Sequence, residues 1–403
     1  MSDLPTLKRS MNLLTLTFYG LGTIIGAGIY VLIGEVAGVA GSYMPLSFLL
    51  AGLIAAFTAL SYAELASRFP VSAGEAVYVK KAWNRNWLSG LTGWMIVLTG
   101  IVSAAAISNG FAGYLNVFID LEAHWAIILL CIALCGIAVY GINLSASAVF
   151  IITLLELAGL AYVVWIAAGM ERIPDQTDLS ILPEASSING IFVGAFLAFY
   201  AFIGFEDMVN VIEEVKNPLR NFPIAVILAI VLSLLCYLGV SYMVLQVSSA
   251  ASLAQSEAPL ADLVVRAGAD PGFIGVVSLL AVVNGALVQI IMASRVMYGM
   301  AKINLAPAML GNVNAWTRTP IIASVVVSLL VLGFALLLPL VSLARLTSLI
   351  MLVVFVTVNI ALIVIKHKQK DSAVRVHVPI FIPYLGAISS FLLVAYQIQS
   401  LLE

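Results

Sequence analysis

The run Gly20-Leu21-Gly22-Thr23-Ile24-Ile25-Gly26-Ala27-Gly28 decides how this chain is read. It lies inside an apolar stretch, 12–34, that is long enough to cross a bilayer, which takes roughly 20 residues. Glycine in a helix interior costs about 1 kcal/mol relative to alanine. Four of them in nine positions therefore mark a helix built to be interrupted or closely approached. An opening at Gly26-Ala27-Gly28 frees N–H groups for a carboxylate and carbonyls for an ammonium or a cation. The alternative is tight helix packing, because Gly22 and Gly26 are spaced as a GxxxG pair. The spacing is not that of a nucleotide loop, and no strand precedes it.

Outward from this run the rest of the chain is equally apolar. Of 403 residues, 63% are hydrophobic and 9% charged, against about 25% charged in soluble domains. So few charges cannot cover a water-facing surface, and lipid must be the solvent for much of the chain. A net charge of −2 argues against a nucleic-acid partner. Three cysteines and three scattered histidines show no metal-ligand spacing, and no cofactor or resident metal is expected. No Ser-His pair, HExxH or intramembrane Asp pair points to an enzyme.

Eleven apolar runs have the length of a span: 12–34, 43–66, 87–117, 124–143, 148–169, 188–212, 222–247, 272–301, 320–339, 342–365 and 379–401. With the N-terminus inside, fifteen of the eighteen lysines and arginines fall on the cytoplasmic side; only Arg172, Arg266 and Arg345 fall outside. That is the asymmetry of the positive-inside rule. It orients the chain in the cytoplasmic (inner) membrane with a cytoplasmic N-terminus and an external C-terminus. The first run continues into a full span, so it is read as helix 1 and not as a cleaved signal.

The expected fold is an all-α integral membrane protein: a single transmembrane domain over 1–403. Five spans is an odd number, so spans 6–10 sit upside down relative to spans 1–5, the geometry of an inverted repeat. One repeat covers about 12–169, the other about 188–365, and an extra helix covers about 379–401. Such folds interrupt corresponding helices. Span 6, the partner of span 1, carries Phe199-Tyr200-Ala201-Phe202-Ile203-Gly204-Phe205-Glu206.

Five polar positions stand out inside the spans. Glu156 lies mid-span, where a carboxylate costs roughly 2.5–3.5 kcal/mol on insertion scales. It must be protonated, paired or holding a cation such as Na⁺; the rival is a neutral acid bonded to a backbone carbonyl. Glu206 follows the proposed break in span 6, as a proton-linked group or as a cap on the second half-helix. Asp207 beside it points about 100° away on a helix. Asn284 and Gln289 in span 8 either line a site or bond neighbouring helices. Tyr200 and Phe202 either close over a site or simply pack.

Four stretches in order, GLGTIIGAGIYV from Gly20, YAELASRFPVSAGEAVYV from Tyr62, AFIGFEDMVNVIEEVKNPLRNFP from Ala201 and ASRVMYGMAK from Ala293, resemble the amino acid–polyamine–organocation transporter family. The resemblance runs from Leu13 to about Lys370. It implies the leucine-transporter-type fold, with substrate between helices 1 and 6 and flanked by helices 3 and 8. Carried over by motif, Ile25, Gly26, Ala27 and Gly28 would meet the carboxylate of an amino acid. Thr23 and Ile24, with Phe199, Tyr200 and Phe202, would meet its amino group and side chain. Many proton-coupled members are similar in carrying a lysine where this chain has Glu156. The family's usual Asp-Gly after helix 8 reads Ile303-Asn304 here, and most members have a twelfth span. The function so implied is secondary active transport of amino acids by alternating access, as proton-coupled symport of neutral amino acids. The alternatives are an amino acid or polyamine exchanger, a Na⁺-coupled symporter and a non-transporting solute sensor.

Overall fold

The computed structural model describes residues 9–71, 74–141, 146–173, 185–314, 316–368 and 376–402. Lys8, Lys370 and Arg375, used above for orientation, and most of the external loop near 170–187 lie outside the described residues.

The described residues form fourteen α-helices in this order: α1 Leu13–Ala40, α2 Met44–Arg68, α3 Gly74–Trp83, α4 Asn86–Leu115, α5 Ala123–Tyr140, α6 Ala146–Ala168, α7 Ala185–Phe199, α8 Pro218–Val247, α9 Ala250–Ala254, α10 Pro259–Arg266, α11 Gly272–Lys302, α12 Ile321–Leu337, α13 Leu340–Lys368 and α14 Phe381–Leu402. Nine helical runs are long and apolar enough to span a bilayer. One of them, Leu13–Arg68, contains both α1 and α2, and the shorter α12 adds another. The eleven expected spans are thus all present. At 17 residues α12 is about 25 Å long at 1.5 Å per residue, the shortest of the set. The amphipathic α3 and the small α9 and α10 occupy loops.

Local sequence explains the ends. Asn12 and Thr15 form a capping box that starts α1: the Asn12 side chain accepts from the Thr15 N–H, and the Thr15 hydroxyl accepts from the Asn12 N–H. Gly141, in the left-handed region, ends α5. Pro218 opens α8 at its first turn, where a missing N–H costs nothing.

Many helix pairings keep a counterpart when spans 1–5 are exchanged with spans 6–10. α1 packs on α8 as α7 packs on α2, and α1 on α6 as α7 on α13. Likewise α4 packs on α13 as α11 on α6, and α4 on α12 as α11 on α5. The pairs α2 with α8, α4 with α11, and α5 with α12 map onto themselves. α14 lies outside this pairing, against α13, α2 and α7. Large apolar side chains such as Trp165, Leu235, Leu329 and Phe391 are exposed on the outer surface of the bundle, as lipid-facing residues must be.

On the side assigned to the cytoplasm, Met11 pairs with the chain after span 6. Its N–H donates to the Glu214 carbonyl at 3.0 Å, and its own carbonyl accepts from the Lys216 N–H at 2.8 Å. Nearby, Glu64 is fully buried and takes both Arg68, at 2.6 Å, and Lys366, at 2.7 Å. Both ion pairs are buried, a different energetic class from pairs at a surface.

Candidate functional site

Two helices of the bundle are broken, and the breaks touch. α1 loses helical geometry at Gly26 (φ 1°, ψ −123°). α7 stops at Phe199, continues as a 3₁₀ turn over Tyr200–Phe202, becomes extended at Ile203, and resumes as a 3₁₀ helix over Glu206–Glu214. Between them Gly204 has φ +128°, a conformation that only glycine adopts easily. A Cβ on Gly204 would lie 2.4 Å from the Thr23 carbonyl oxygen, and one on Gly28 would lie 2.6 Å from Ala201 Cα. Both glycines are therefore required by the contact between the breaks. The glycine cluster divides its labour. Gly22 packs against Thr153 of α6, whereas a Cβ on Gly26 would meet nothing within 4 Å. Gly26 is the open position.

A side chain that the sequence reading passed over holds this junction. The Tyr237 hydroxyl of α8 reaches both the Ile24 carbonyl and the Ala201 carbonyl, each at 2.8 Å. One buried hydroxyl, with a single proton to share, thus bridges carbonyls from both breaks. In sequence Tyr237 is one aromatic in an apolar run. Its only signal is that a phenol buried at this depth must find an acceptor.

Beside the breaks lies a small cavity. Gly22, Thr23, Ile24 and Gly28 of α1 line it, with Ser103 and Ile107 of α4, Tyr200 and Ile203 of span 6, and Asn284, Gly285, Val288 and Gln289 of α11. Tyr200 is fixed across the cavity by Ser103, its hydroxyl 3.0 Å from Ser103 Oγ and donating to the Ser103 carbonyl at 3.1 Å. None of these twelve lining residues is ionisable at neutral pH. A charged group held here must be met by backbone dipoles at the helix ends and by side-chain amides and hydroxyls.

Of the expected site residues, the structure brings Thr23, Ile24, Gly28, Tyr200, Asn284 and Gln289 to the cavity wall. Ile25 is fully buried outside the lining. Phe199 packs edge-on against Phe355, and Phe202 edge-on against Tyr237. Ala27 follows the break in α1. Ser103 is a lining residue that the sequence reading did not single out.

Glu156 stands apart from the cavity lining, in α6, fully buried, and neither carboxyl oxygen has a hydrogen-bond partner among the described residues. The bond to a backbone carbonyl considered above is not made. α6 grips both halves of α1. Thr153 donates to the Phe18 carbonyl before the break at 3.1 Å, and the Glu156 carbonyl accepts from Tyr30 Oη beyond it at 2.6 Å. Tyr114 of α4 donates in turn to the Tyr30 carbonyl at 2.7 Å. Glu206 is buried too and accepts from the Gly204 N–H at 2.9 Å, so one of its oxygens does cap the break. Asp207 takes a different partner, accepting from Gln289 Nε2 at 3.0 Å. The two acids diverge as expected, and the second is wired to the cavity wall. Glu75 of α3 accepts from the Tyr62 hydroxyl at 2.9 Å. Burial pushes the Glu75 carboxyl above the ordinary carboxylate range, and the Tyr62 bond works against that.

Comparison with known proteins gives one consistent result. The family model described as amino acid permease matches residues 11–400. The chain is 30% identical over 389 residues to a branched-chain amino acid permease of Bacillus subtilis, spanning 91% of this chain and 83% of that protein. It is 27% identical over 413 residues to the methylthioribose transporter of the same organism, spanning 96% and 88%. It is also 26% identical over 394 residues to the vacuolar cationic amino acid transporter 4 of Arabidopsis thaliana, spanning 91% and 64%.

Proposed function

Because the chain belongs to the amino acid permease family, a family of membrane transporters and not of enzymes, we propose that it carries neutral amino acids across the cytoplasmic membrane by alternating access, driven by protons. The observation that carries this reading is the uncharged cavity set against two abutting helix breaks. A zwitterion brings one charge of each sign. The N–H groups at Gly26, Ala27 and Gly28 start the second half of α1 and suit the carboxylate; carbonyls that end the first halves of α1 and span 6 suit the ammonium. With no ionisable group among the lining residues, a net charge on the substrate side chain would be left uncompensated, which favours neutral substrates. The printed names of the relatives differ in substrate, so the choice rests on the cavity.

Glu156 supplies the coupling in this reading. A buried carboxyl with no partner is at ease only when protonated or when a cation sits beside it. Its helix holds both halves of α1, so a change of charge there is felt by the helix that cradles the substrate. Glu206, at the hinge of span 6, is the second group placed to respond. The two repeats, 12–169 and 188–365, would together enclose the site, with the N-terminus cytoplasmic and the C-terminus outside. A Na⁺ ion at Glu156 is the second reading, favoured by the same unpaired oxygens.

Uptake of labelled amino acids into proteoliposomes under imposed gradients tests the proposal. Accumulation driven by an inward proton gradient and indifferent to Na⁺ is expected. Accumulation that requires Na⁺ selects the second reading. Uptake that needs only internal amino acid would replace symport with exchange.

A further inference from the structure

Asn284 and Gln289 both line the cavity from α11. Asn284 is 3% exposed and Gln289 6%. Each carries an amide oxygen, Oδ1 and Oε1, that is buried and accepts no hydrogen bond. The orientation of the Gln289 amide is decided at its other end. Nε2 donates to the Asp207 carboxylate, which leaves Oε1 as a pure acceptor. Folded proteins rarely leave a buried acceptor open, because it forfeits its water without compensation. An open acceptor fixed on Gln289, with the Asn284 amide on the same helix, calls for a donor that arrives with the ligand.

The wall around them narrows which donors. Ile107, Ile203 and Val288 supply the apolar part of the lining, and no lining residue is a carboxylate that would draw a cationic side chain. In the proposed binding mode, on which this inference rests, the backbone at the α1 and span 6 breaks takes the ammonium and carboxylate. The α11 wall is then left for the side chain. We propose that the cavity selects amino acids whose uncharged side chain carries a hydrogen-bond donor, a hydroxyl or a carboxamide, over aliphatic side chains of the same shape. A site built to hydrogen-bond a ligand rejects the analogue that lacks the group, because its own polar atoms are then left unpaired.

Two near-isosteric pairs test this: L-threonine against L-valine, and L-asparagine against L-leucine. Affinities for the full-length purified protein would be measured by concentration-dependent thermal stabilisation. The donor-bearing member of each pair is expected to bind about tenfold more tightly, or better. In Asn284→Leu the asparagine-to-leucine ratio should fall toward one; the wild-type ratios decide the matter even if that variant does not fold. Valine and leucine binding as tightly as their partners, or binding confined to charged amino acids, overturns the inference and leaves an amino acid carrier standing. Failure of all twenty amino acids to bind overturns the carrier reading itself, and this inference with it.

Discussion

Glu156 shows what one residue in a membrane span does to the energetics of the whole. Both its oxygens are buried and unpaired, so the fold bears an unsatisfied polar group even when the acid is protonated, a cost of about 1–3 kcal/mol. Replacement by methionine, similar in length and apolar, is expected to raise thermal stability by an amount of that order while removing the dependence of uptake on the driving ion. Glu156→Gln should likewise leave transport indifferent to the gradient. Parallel melting curves and gradient-driven uptake check both. Unchanged coupling in Glu156→Gln would exclude this residue from the mechanism. Its position was legible in the sequence because a lone acid interrupts an apolar run. The absence of any partner was not, since a partner on another helix leaves no trace in local sequence.

At the scale of the element, the two breaks obey different rules although each contains a glycine. Gly204→Ala places a side chain at φ +128° and 2.4 Å from the Thr23 carbonyl oxygen. The backbone term alone is about 1–3 kcal/mol, and the clash can be relieved only by separating the breaks. Loss of folded protein, or a large drop in melting temperature, is expected. Gly26→Ala meets no atom within 4 Å and should lower the melting temperature less than Gly204→Ala does while weakening substrate affinity, which thermal shift with substrate would read. The loop helix α3 gives a second prediction at this scale. The Glu75 carboxyl is raised by burial, so it binds its proton more tightly in the folded state. Its stabilising contribution is complete below the ordinary value of 4.5 and is lost as pH rises through the raised value. The groups around it include Tyr62, Tyr78, Glu206 and Asp207. Glu75→Gln should therefore flatten the decline in melting temperature between acid and neutral pH, with its largest gain over the wild type at neutral pH.

Across the whole molecule, the buried Glu64 cluster ties span 2 to span 10 and to the segment before α14. Glu64 pairs with Arg68 and Lys366 and also accepts from the Val378 N–H at 2.8 Å; Lys366 donates to the Val378 carbonyl as well. Breaking a buried pair from one side leaves an uncompensated charge, at about 3–5 kcal/mol. Glu64→Gln removes the carboxylate from both Arg68 and Lys366, whereas Lys366→Met leaves the Glu64–Arg68 pair intact. The first variant should be the less stable of the two in detergent melts, and the reverse order would show that the cluster is held together by something other than its central carboxylate.

Apolar run lengths, the distribution of lysine and arginine and the clustering of glycine are properties of the chain taken in order, and they determined the span count, the class of fold and which two helices would break. Four ordered motifs added the transporter resemblance. The tertiary structure decided everything that depends on which helix lies against which. It placed the Tyr237 hydroxyl on two broken helices at once and set Gln289 between Asp207 and the cavity. It buried the Glu64 ion pairs and left Phe199 and Phe202 in the packing and not at the cavity wall. The physical reason is range. Hydropathy and backbone freedom act over one helical turn to one span, while a hydrogen bond or an ion pair joins residues hundreds of positions apart and exists only once the bundle has closed.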